Sequence, residues 1–302
     1  MNLTGLHFLL TYTCNYECDH CFTWGSPFAS GTFTLNEIRE VCDEAGKIGT
    51  IETIYFEGGE PFLYYPVMLK GMEIVKQRGF KVGIVTNGYF GTALEDATEW
   101  LMAIKKIGID ALSVSNDELH YDDPQNSCAT VAAEAARKLG LPVDFIEIDK
   151  PKTLPCERKG EKGEPIIEGD VRFRGRAVEK LTEGLPRKPW DSFNECPDED
   201  FEKLGRVHLD PLGYVHICQG VTVGNFKKTP LSKIMEDYDP QSEPIIGPLM
   251  SGGPAELVKK YNLEHEDSYI DACHLCYDAR LKLRERFPEK LAPDQMYGIM
   301  ES

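Results

Sequence analysis

Short runs of apolar residues recur along the first half of the chain, and each is followed by a longer segment in which apolar positions return every three or four residues. The short runs are typical of β-strands and the longer segments of amphipathic helices. Strands are predicted at residues 6–13, 51–57, 80–86, 109–115, 142–148 and 167–173. The first half therefore consists of strands alternating with helices.

The helices between these strands have recognisable ends. Thr34 followed by Glu37 is a capping-box pattern that predicts a helix to about residue 48, and Gly49 is suited to end it. Further helices are predicted over residues 65–78, 92–107, 127–139 and 173–181. Repeated strand–helix–strand units require parallel pairing. Six such units predict an α/β fold, a partial (β/α)6 TIM-like barrel, with an open parallel sheet as the alternative.

The pattern changes after residue 182. Gly184, Pro186 and Pro189 interrupt it, so we place a domain boundary near residue 190 and predict domains at 1–190 and 191–302. Residues 206–210 and 214–218 flank Pro211-Leu212-Gly213 and predict a β-hairpin. Residues 238–254 are rich in Pro and Gly and predict a loop, and residues 277–287 predict a helix.

The charge balance narrows the classes of partner. With 50 acidic and 33 basic residues among 302, the net charge is −17, which repels nucleic acids. The sequence has no secretion signal and no apolar run long enough to span a membrane, so we expect a cytoplasmic protein without membrane contact. Small molecules or peptides are the expected substrates.

Ten cysteines change the picture further, because thiols stay reduced in the cytosol and metal binding becomes their leading explanation. Seven of them form two groups with ligand-like spacing. The first group is Cys14, Cys18 and Cys21, and the second is Cys196, Cys218, Cys273 and Cys276. Cys42, Cys128 and Cys156 lie outside both groups.

The first group follows the first predicted strand, at the carboxyl edge where parallel βα folds place their active sites. Three thiolates can hold three irons of a 4Fe-4S cubane and leave the fourth iron open to an outside ligand. The spacing alone equally permits a zinc site completed by His20 or His7.

At this point the chain resembles the radical S-adenosylmethionine superfamily, whose CxxxCxxC motif is present as Cys14-Asn-Tyr-Glu-Cys18-Asp-His-Cys21. Glu57-Gly58-Gly59-Glu60-Pro61 resembles the GGEP motif of that superfamily, and Thr86-Asn87-Gly88 and Ser113-Val114-Ser115 occupy similar positions after later strands. The resemblance implies a 4Fe-4S cluster, S-adenosylmethionine, cleavage of that nucleotide to a 5′-deoxyadenosyl radical, and an electron donor such as flavodoxin or ferredoxin. The residues it assigns to the nucleotide are Gly58, Gly59, Glu60, Asn87, Ser113, Ser115 and, against the adenine, His20.

Two arginines near the end of the sixth predicted strand are further candidates. Arg174 and Arg176 have guanidinium groups suited to clamp the carboxylate of the cofactor, and a structural salt bridge is an equal alternative for either one.

The second cysteine group lies around the predicted hairpin and ends in a CxxC before a helix, which suits a closed metal site, either four-cysteine zinc or iron–sulfur. Its surroundings resemble the auxiliary-cluster domain called SPASM. A full SPASM domain carries seven cysteines and only four are available here, so the shortened relative called twitch fits better. That resemblance implies one auxiliary 4Fe-4S cluster, as in 2-deoxy-scyllo-inosamine dehydrogenase and some sugar or peptide epimerases.

A closed auxiliary cluster is suited to accept an electron from a substrate radical. We therefore expect dehydrogenation or crosslinking of a carbohydrate-like metabolite or a peptide. An epimerase in which Cys156 donates a hydrogen atom is the alternative, with Cys128 a weaker candidate for that role. Glu118 and His120 are candidates for substrate contact or base catalysis. A non-catalytic zinc-binding protein and an activase that places a radical on a partner protein are the other classes.

Overall fold

A computed structural model describes residues 3–155, 157–158 and 161–299. Its helices are α1 (Leu35–Ile48), α2 (Tyr65–Gln77), α3 (Leu94–Ile107), α4 (Cys128–Leu139), α5 (Ala177–Lys180), α6 (Leu231–Glu236), α7 (Ile246–Tyr261) and α8 (Ala272–Leu283). Its strands are β1 (Gly5–Thr11), β2 (Thr53–Gly58), β3 (Lys81–Thr86), β4 (Ala111–Ser115), β5 (Val143–Ile146), β6 (Lys152–Leu154), β7 (Glu157–Arg158), β8 (Glu161–Lys162), β9 (Ile166–Glu168), β10 (Lys188–Pro189), β11 (Arg206–Leu209), β12 (Tyr214–Cys218), β13 (Val221–Asn225) and β14 (Ser268–Tyr269).

One eight-stranded sheet organises the molecule, with strand order β13-β12-β11-β1-β2-β3-β4-β5. The strands from β11 to β5 are parallel, and β12 and β13 extend one edge in antiparallel fashion. The predicted α/β fold with a TIM-like, partial-barrel core is confirmed. Within residues 3–155, 157–158 and 161–299, no helix combines the length and apolar character needed to cross a membrane.

The two faces of the parallel sheet differ in chemistry. Alternate residues such as Leu6, Phe8, Ile54 and Phe56 are fully buried. Phe56 lies next to Gly71 of α2, which shows that these side chains form the face under the helices. The intervening residues of the same strands include His7, Tyr55, Glu57, Ser113 and Ser115. Polar side chains therefore occupy the inner, concave face.

The helices begin and end largely as predicted. Thr34 caps α1 through a complete capping box with Glu37, and Gly49 ends the helix in the left-handed conformation. The last predicted helix is displaced, because α8 begins at Ala272 under the cap of Asp271. The predicted helix over 173–181 is reduced to the single turn α5.

The sixth predicted strand is wrong as a member of the barrel. Ile166–Glu168 pairs instead with Lys152–Leu154 in a separate two-stranded sheet, because that local partner satisfies its backbone groups. The sixth parallel strand of the main sheet is β11, which pairs with β1 from beyond the predicted boundary at residue 190. The predicted loop at 238–254 is also wrong in part, since α7 begins at Ile246 and is broken only at Gly252 and Gly253.

Candidate active site

The loop between β1 and α1 carries Cys14, Cys18 and Cys21 at the carboxyl edge of the sheet. Its entry is fixed where the N–H of Cys14 donates to the main-chain oxygen of Ser26 (2.9 Å). Its middle is held by Arg176, whose guanidinium donates to the main-chain oxygens of Cys18 (2.8 Å) and Gly25 (2.9 Å). The main-chain N–H of Arg176 donates to the oxygen of Cys21 (3.0 Å). The buried guanidinium of Arg176 therefore holds the main chain of the three-cysteine loop in place.

Burial disfavours the thiolate forms of Cys14 and Cys18. Burial raises the pKa of Cys14 to about 12 and also raises the pKa of Cys18. The Cys14 sulfur nevertheless faces donors, the main-chain N–H of Tyr16 (3.4 Å) and the Asn87 amide (3.7 Å). Thiolates in this position need compensating positive charge, which the irons of a cluster supply.

The two glycines after β2 allow its end to approach the cysteine loop. Gly58 has φ of +127°, and a Cβ added to Gly59 would lie 2.2 Å from the main-chain oxygen of Thr13. This contact is closed by the N–H of Gly59, which donates to the oxygen of Thr11 (2.7 Å). The fold therefore requires Gly58 and Gly59 at the point where the end of β2 meets the cysteine loop.

Glu60, the residue after the two glycines, is fully buried. Its carboxylate accepts from the N–H of Phe62 (3.0 Å), the Thr86 hydroxyl (2.8 Å) and the N–H of Asn87 (2.8 Å). Burial raises the pKa of Glu60 to about 7. In this structure Glu60 fixes the loop after β3, and contact with the amino group of a nucleotide stays a prediction.

A cavity of about 950 Å³ opens on the concave face of the sheet. Its volume is at the upper end of the range for ligand pockets. The predicted residues that line it are Cys14, Cys18, Cys21, His20, Gly58, Gly59, Asn87, Ser115 and Arg174. Glu60, Ser113 and Arg176 are absent from the described lining. Most of the predicted nucleotide-binding residues therefore share one cavity.

His20 lies on the cavity wall in contact with a second histidine. Its ring meets that of His120 edge-on, with centroids 4.8 Å apart, and burial lowers the pKa of His20 to about 4. His120 is oriented by Asp117, whose Oδ1 lies 2.8 Å from its Nδ1. His120 therefore lines the cavity as an oriented ring, whereas Glu118, the neighbouring candidate, is exposed and outside the described lining.

The second cysteine group converges from three parts of the chain. Cys196, Cys218, Cys273 and Cys276 surround one small cavity, and the last two lie in the first turns of α8. Burial raises the pKa of Cys276 to about 12, so these thiols also require positive charge to ionise. The sequence prediction that these four belong together agrees with their placement.

Arg174 lies between the two cysteine groups. Its Nη1 donates to the sulfur of Cys218 (3.2 Å), and its guanidinium lies 5.6 Å from the ring of Phe22, the residue after Cys21. Its side chain is buried, lines both cavities and has Glu199 as a carboxylate neighbour at 4.0 Å. The structure thus gives Arg174 a thiol partner, and contact with a cofactor carboxylate stays a prediction.

The remaining cysteines lie elsewhere. Cys42 is buried in the core beneath α1, and Cys128 is the first residue of α4. Cys156, the predicted hydrogen donor, lies outside the described residues.

Sequence reasoning missed a polar cluster deeper on the concave face, formed by His7, Glu57 and His208. The available signal was strand periodicity, since His7 and Glu57 alternate with buried apolar residues and must face inward. His208 gave no comparable signal, because its strand was expected only as part of a hairpin in the second domain.

Comparison with known proteins agrees with this fold and site. Residues 8–146 match the sequence profile of the radical SAM superfamily, so this stretch of the chain is a radical SAM domain. The superfamily implies a 4Fe-4S cluster and S-adenosylmethionine, which fit the three thiols that line the large cavity.

Particular relatives are similar to only part of this chain. A putative peptide biosynthesis protein of Bacillus subtilis, YydG, is 33% identical over 125 residues, 41% of this chain and 39% of the relative. The cofactor-modifying protein of the tungsten-containing aldehyde ferredoxin oxidoreductase of Pyrococcus furiosus is 34% identical over 38% of this chain and 31% of its own length. The aligned segment thus covers well under half of the length of each of these relatives.

A solved structure shares more of the fold. BtrN, crystallised in complex with AdoMet and 2-DOIA, superposes with a TM-score of 0.50 over 78% of this chain and 82% of its own, at 15% identity. At that identity the match shows the fold alone.

Proposed function

We propose that this protein is a radical SAM enzyme that oxidises a polar substrate by two electrons, with a second iron–sulfur cluster as the electron acceptor. The observation that carries the proposal is the position of Arg174, which lines both the large cavity and the small cavity of the second cysteine group. The two cysteine groups thereby lie on either side of one buried side chain.

In this proposal Cys14, Cys18 and Cys21 hold the cluster that binds and cleaves the nucleotide. When bound and reduced, the cluster would supply the electron that cleaves the nucleotide. The resulting 5′-deoxyadenosyl radical would remove one hydrogen atom from the substrate. The chain's own part is to exclude water and fix the substrate. The Gly58–Gly59 rim, Asn87 and Ser115 bring polar main-chain and side-chain groups to the cavity without filling it.

The second set, Cys196, Cys218, Cys273 and Cys276, holds the acceptor. Loss of a hydrogen atom to the nucleotide radical, one electron to this acceptor and one proton to a base leaves the substrate oxidised by two electrons. A hydroxyl carbon would become a carbonyl, or a bond would form within a peptide. All four cysteines line the small cavity, and four thiolate ligands suit a closed electron-transfer cluster.

The cavity walls favour a substrate rich in hydroxyl, amino or carboxylate groups. Both signs of charge are present, and the charged lining residues include Glu57, Glu147, Asp170, Arg172, Arg174, Asp198 and Arg206. A carbohydrate-like metabolite satisfies these groups best. One polar residue of a peptide is the second candidate, favoured by the names of YydG and of the bacteriocin biosynthesis protein AlbA, to which 37% of this chain is similar.

The decisive experiment separates the two cysteine groups by their products. Protein reconstituted anaerobically should contain about eight irons per chain, four for each cubane. Cys18→Ala should abolish formation of 5′-deoxyadenosine after reduction with dithionite. Cys273→Ala/Cys276→Ala should lower the iron content by about half and retain 5′-deoxyadenosine. Chromatography with mass spectrometry measures the product.

Cys128→Ala is the matched control, because Cys128 belongs to neither group, and it should retain both the iron and the nucleotide product. Nucleotide cleavage that survives Cys18→Ala would contradict the proposal. Full iron content in Cys273→Ala/Cys276→Ala would contradict the acceptor cluster. Once a substrate is found, deuterium incorporated from the solvent at one carbon of an otherwise unchanged product would indicate epimerisation instead of oxidation.

A further inference from the structure

Three metal-ligating side chains meet on the concave face, separate from both cysteine groups. His7 of β1, Glu57 of β2 and His208 of β11 each offer one ligand atom, and these atoms all lie within 4.8 Å of one another. All three residues line the large cavity. We propose that they bind one divalent first-row transition-metal ion, such as Mn²⁺ or Fe²⁺, which presents open positions to an oxygen atom of the substrate.

Strand register produces the convergence. His7 lies opposite His208 across the β1–β11 pair, and Glu57 lies opposite Leu9, two residues further along β1. Because residues two apart on a strand point to the same face, the carboxylate sits just above the two imidazoles. The ligands come from three adjacent strands of one sheet, so their positions are fixed by its hydrogen bonding.

Each imidazole nitrogen lies at hydrogen-bond distance from a different oxygen of the Glu57 carboxylate, and the same separations suit an ion bound by both imidazoles and both carboxylate oxygens. His7 Nδ1 lies 3.1 Å from Glu57 Oε2, and His208 Nε2 lies 3.1 Å from Glu57 Oε1. Adjacent ligands of an octahedral ion with bonds of about 2.1 Å are separated by about 3 Å. Two imidazoles and one carboxylate are the donor set that such ions use when they keep positions open for other ligands.

Hydrogen bonding among the protein groups alone leaves this cluster incomplete. His208 Nδ1 is buried without a partner among the described residues. If Nε2 carries the proton and donates to Glu57, Nδ1 is a buried acceptor without a donor. If Nδ1 carries it, the Nε2 lone pair faces the carboxylate, an arrangement that a cation between them makes favourable.

The site adds a function that neither cysteine group supplies. An ion there would bind a hydroxyl or carboxylate oxygen of the substrate and lower the pKa of a bound hydroxyl. This inference depends on the three side chains and not on the proposed radical reaction. Its test therefore measures metal binding, which cannot fail merely because the substrate is wrong.

The experiment titrates Mn²⁺ into the anaerobically reconstituted protein and follows the electron paramagnetic resonance of free Mn²⁺. Manganese prefers nitrogen and oxygen ligands to thiolates, so the remaining cysteines compete poorly. We expect one Mn²⁺ per chain, and at least a tenfold loss of affinity in Glu57→Gln and His208→Gln. Equilibrium dialysis with Ni²⁺, which binds such donors more tightly than Mn²⁺ does, provides a second measurement on the same variants.

Glu147→Gln is the matched carboxylate control, because Glu147 lines the same cavity outside the cluster, and His265→Gln is the control for loss of an exposed imidazole. Both should bind the ion as the unmodified protein does, and an unchanged iron content shows that each variant is folded. The proposal is overturned if neither ion binds one to one, or if binding survives Glu57→Gln and His208→Gln.

Discussion

Buried arginines stand beside the second cysteine group, and this is the residue-scale feature with the clearest electrostatic consequence. Arg174 donates to the sulfur of Cys218, and Arg280, almost fully buried, donates to the main-chain oxygen of Gln219 and packs on Tyr297. A 4Fe-4S cluster with four thiolates is anionic and becomes more so on reduction. Buried cations at this distance stabilise its reduced form.

Replacing Arg174 by Met should therefore lower the reduction potential of the proposed second cluster by roughly tens of millivolts, because the cation that would favour its reduced form is removed. A redox titration followed by electron paramagnetic resonance measures the change. Arg187→Met is the matched control, since Arg187 is 37% exposed, pairs with Glu266 and is outside the described lining of both cavities. Equal potentials in Arg174→Met and the unmodified protein would refute the electrostatic role.

The sequence predicted which residues belong to one site better than it predicted which atoms those residues contact. The cysteines could be grouped from spacing because each group must supply ligands to one site. The partners of Arg174 and Arg176 could not, because a guanidinium can bind a cofactor carboxylate, a thiol or a main-chain oxygen, and only the folded loop decides which lies within reach. His208 was missed for the same reason, since its neighbours are distant in sequence.

At the scale of elements, the close approach of the β2 end to the cysteine loop is the most sensitive feature. Gly59→Ala would place a Cβ 2.2 Å from the Thr13 oxygen, a main-chain atom that cannot move aside cheaply. We expect a loss of more than about 2 kcal/mol in the free energy of unfolding, together with loss of iron from the first site. Thermal unfolding and iron analysis measure both effects.

Gly46→Ala supplies the control for this prediction, because a Cβ at Gly46 would meet no atom within 4 Å and the residue lies inside α1. There the added methyl group should stabilise the helix by up to about 1 kcal/mol. A Gly59→Ala protein with unchanged iron and midpoint temperature would show that the loop can move away.

Local patterns predicted the elements that depend on local information. The strands β1 to β5 and helices α1 to α4 follow from periodicity and capping residues, such as Thr34 and Gly49, that act within a few positions. The failures involved choice of partner. The apolar run after residue 165 pairs with β6 instead of β5, and the Gly- and Pro-rich segment contains α7, whose break at Gly252 and Gly253 concentrates the irregular residues in one place.

For the whole molecule, the pairing of β11 with β1 joins the two halves of the chain. Val207 and Leu209 of β11 are fully buried in the same core as Leu6 and Phe8 of β1. A fragment of residues 1–190 would expose this edge and the apolar surface beside it. Composition predicts a domain boundary near residue 190. We nevertheless expect that residues 1–190 and 191–302 do not fold independently.

We predict that the 1–190 fragment lacks a cooperative thermal transition and binds a hydrophobic dye, because the β11 side of its sheet is uncovered. Co-expression with residues 191–302 should restore a soluble complex with a single transition. Calorimetry and dye fluorescence make the measurement, with the full-length protein as the reference. Cooperative unfolding of 1–190 alone would show that the first half is complete without β11.

The same strand pairing sets an order of events during synthesis. β1 emerges from the ribosome early, and the cysteine loop follows directly, yet the strand that covers its outer edge is made almost two hundred residues later. His208, a wall of the cavity, arrives with that strand. Iron delivered to Cys14, Cys18 and Cys21 before then would meet a sheet with one uncovered edge and an incomplete cavity, so we expect loading of the first site to follow the synthesis of β11.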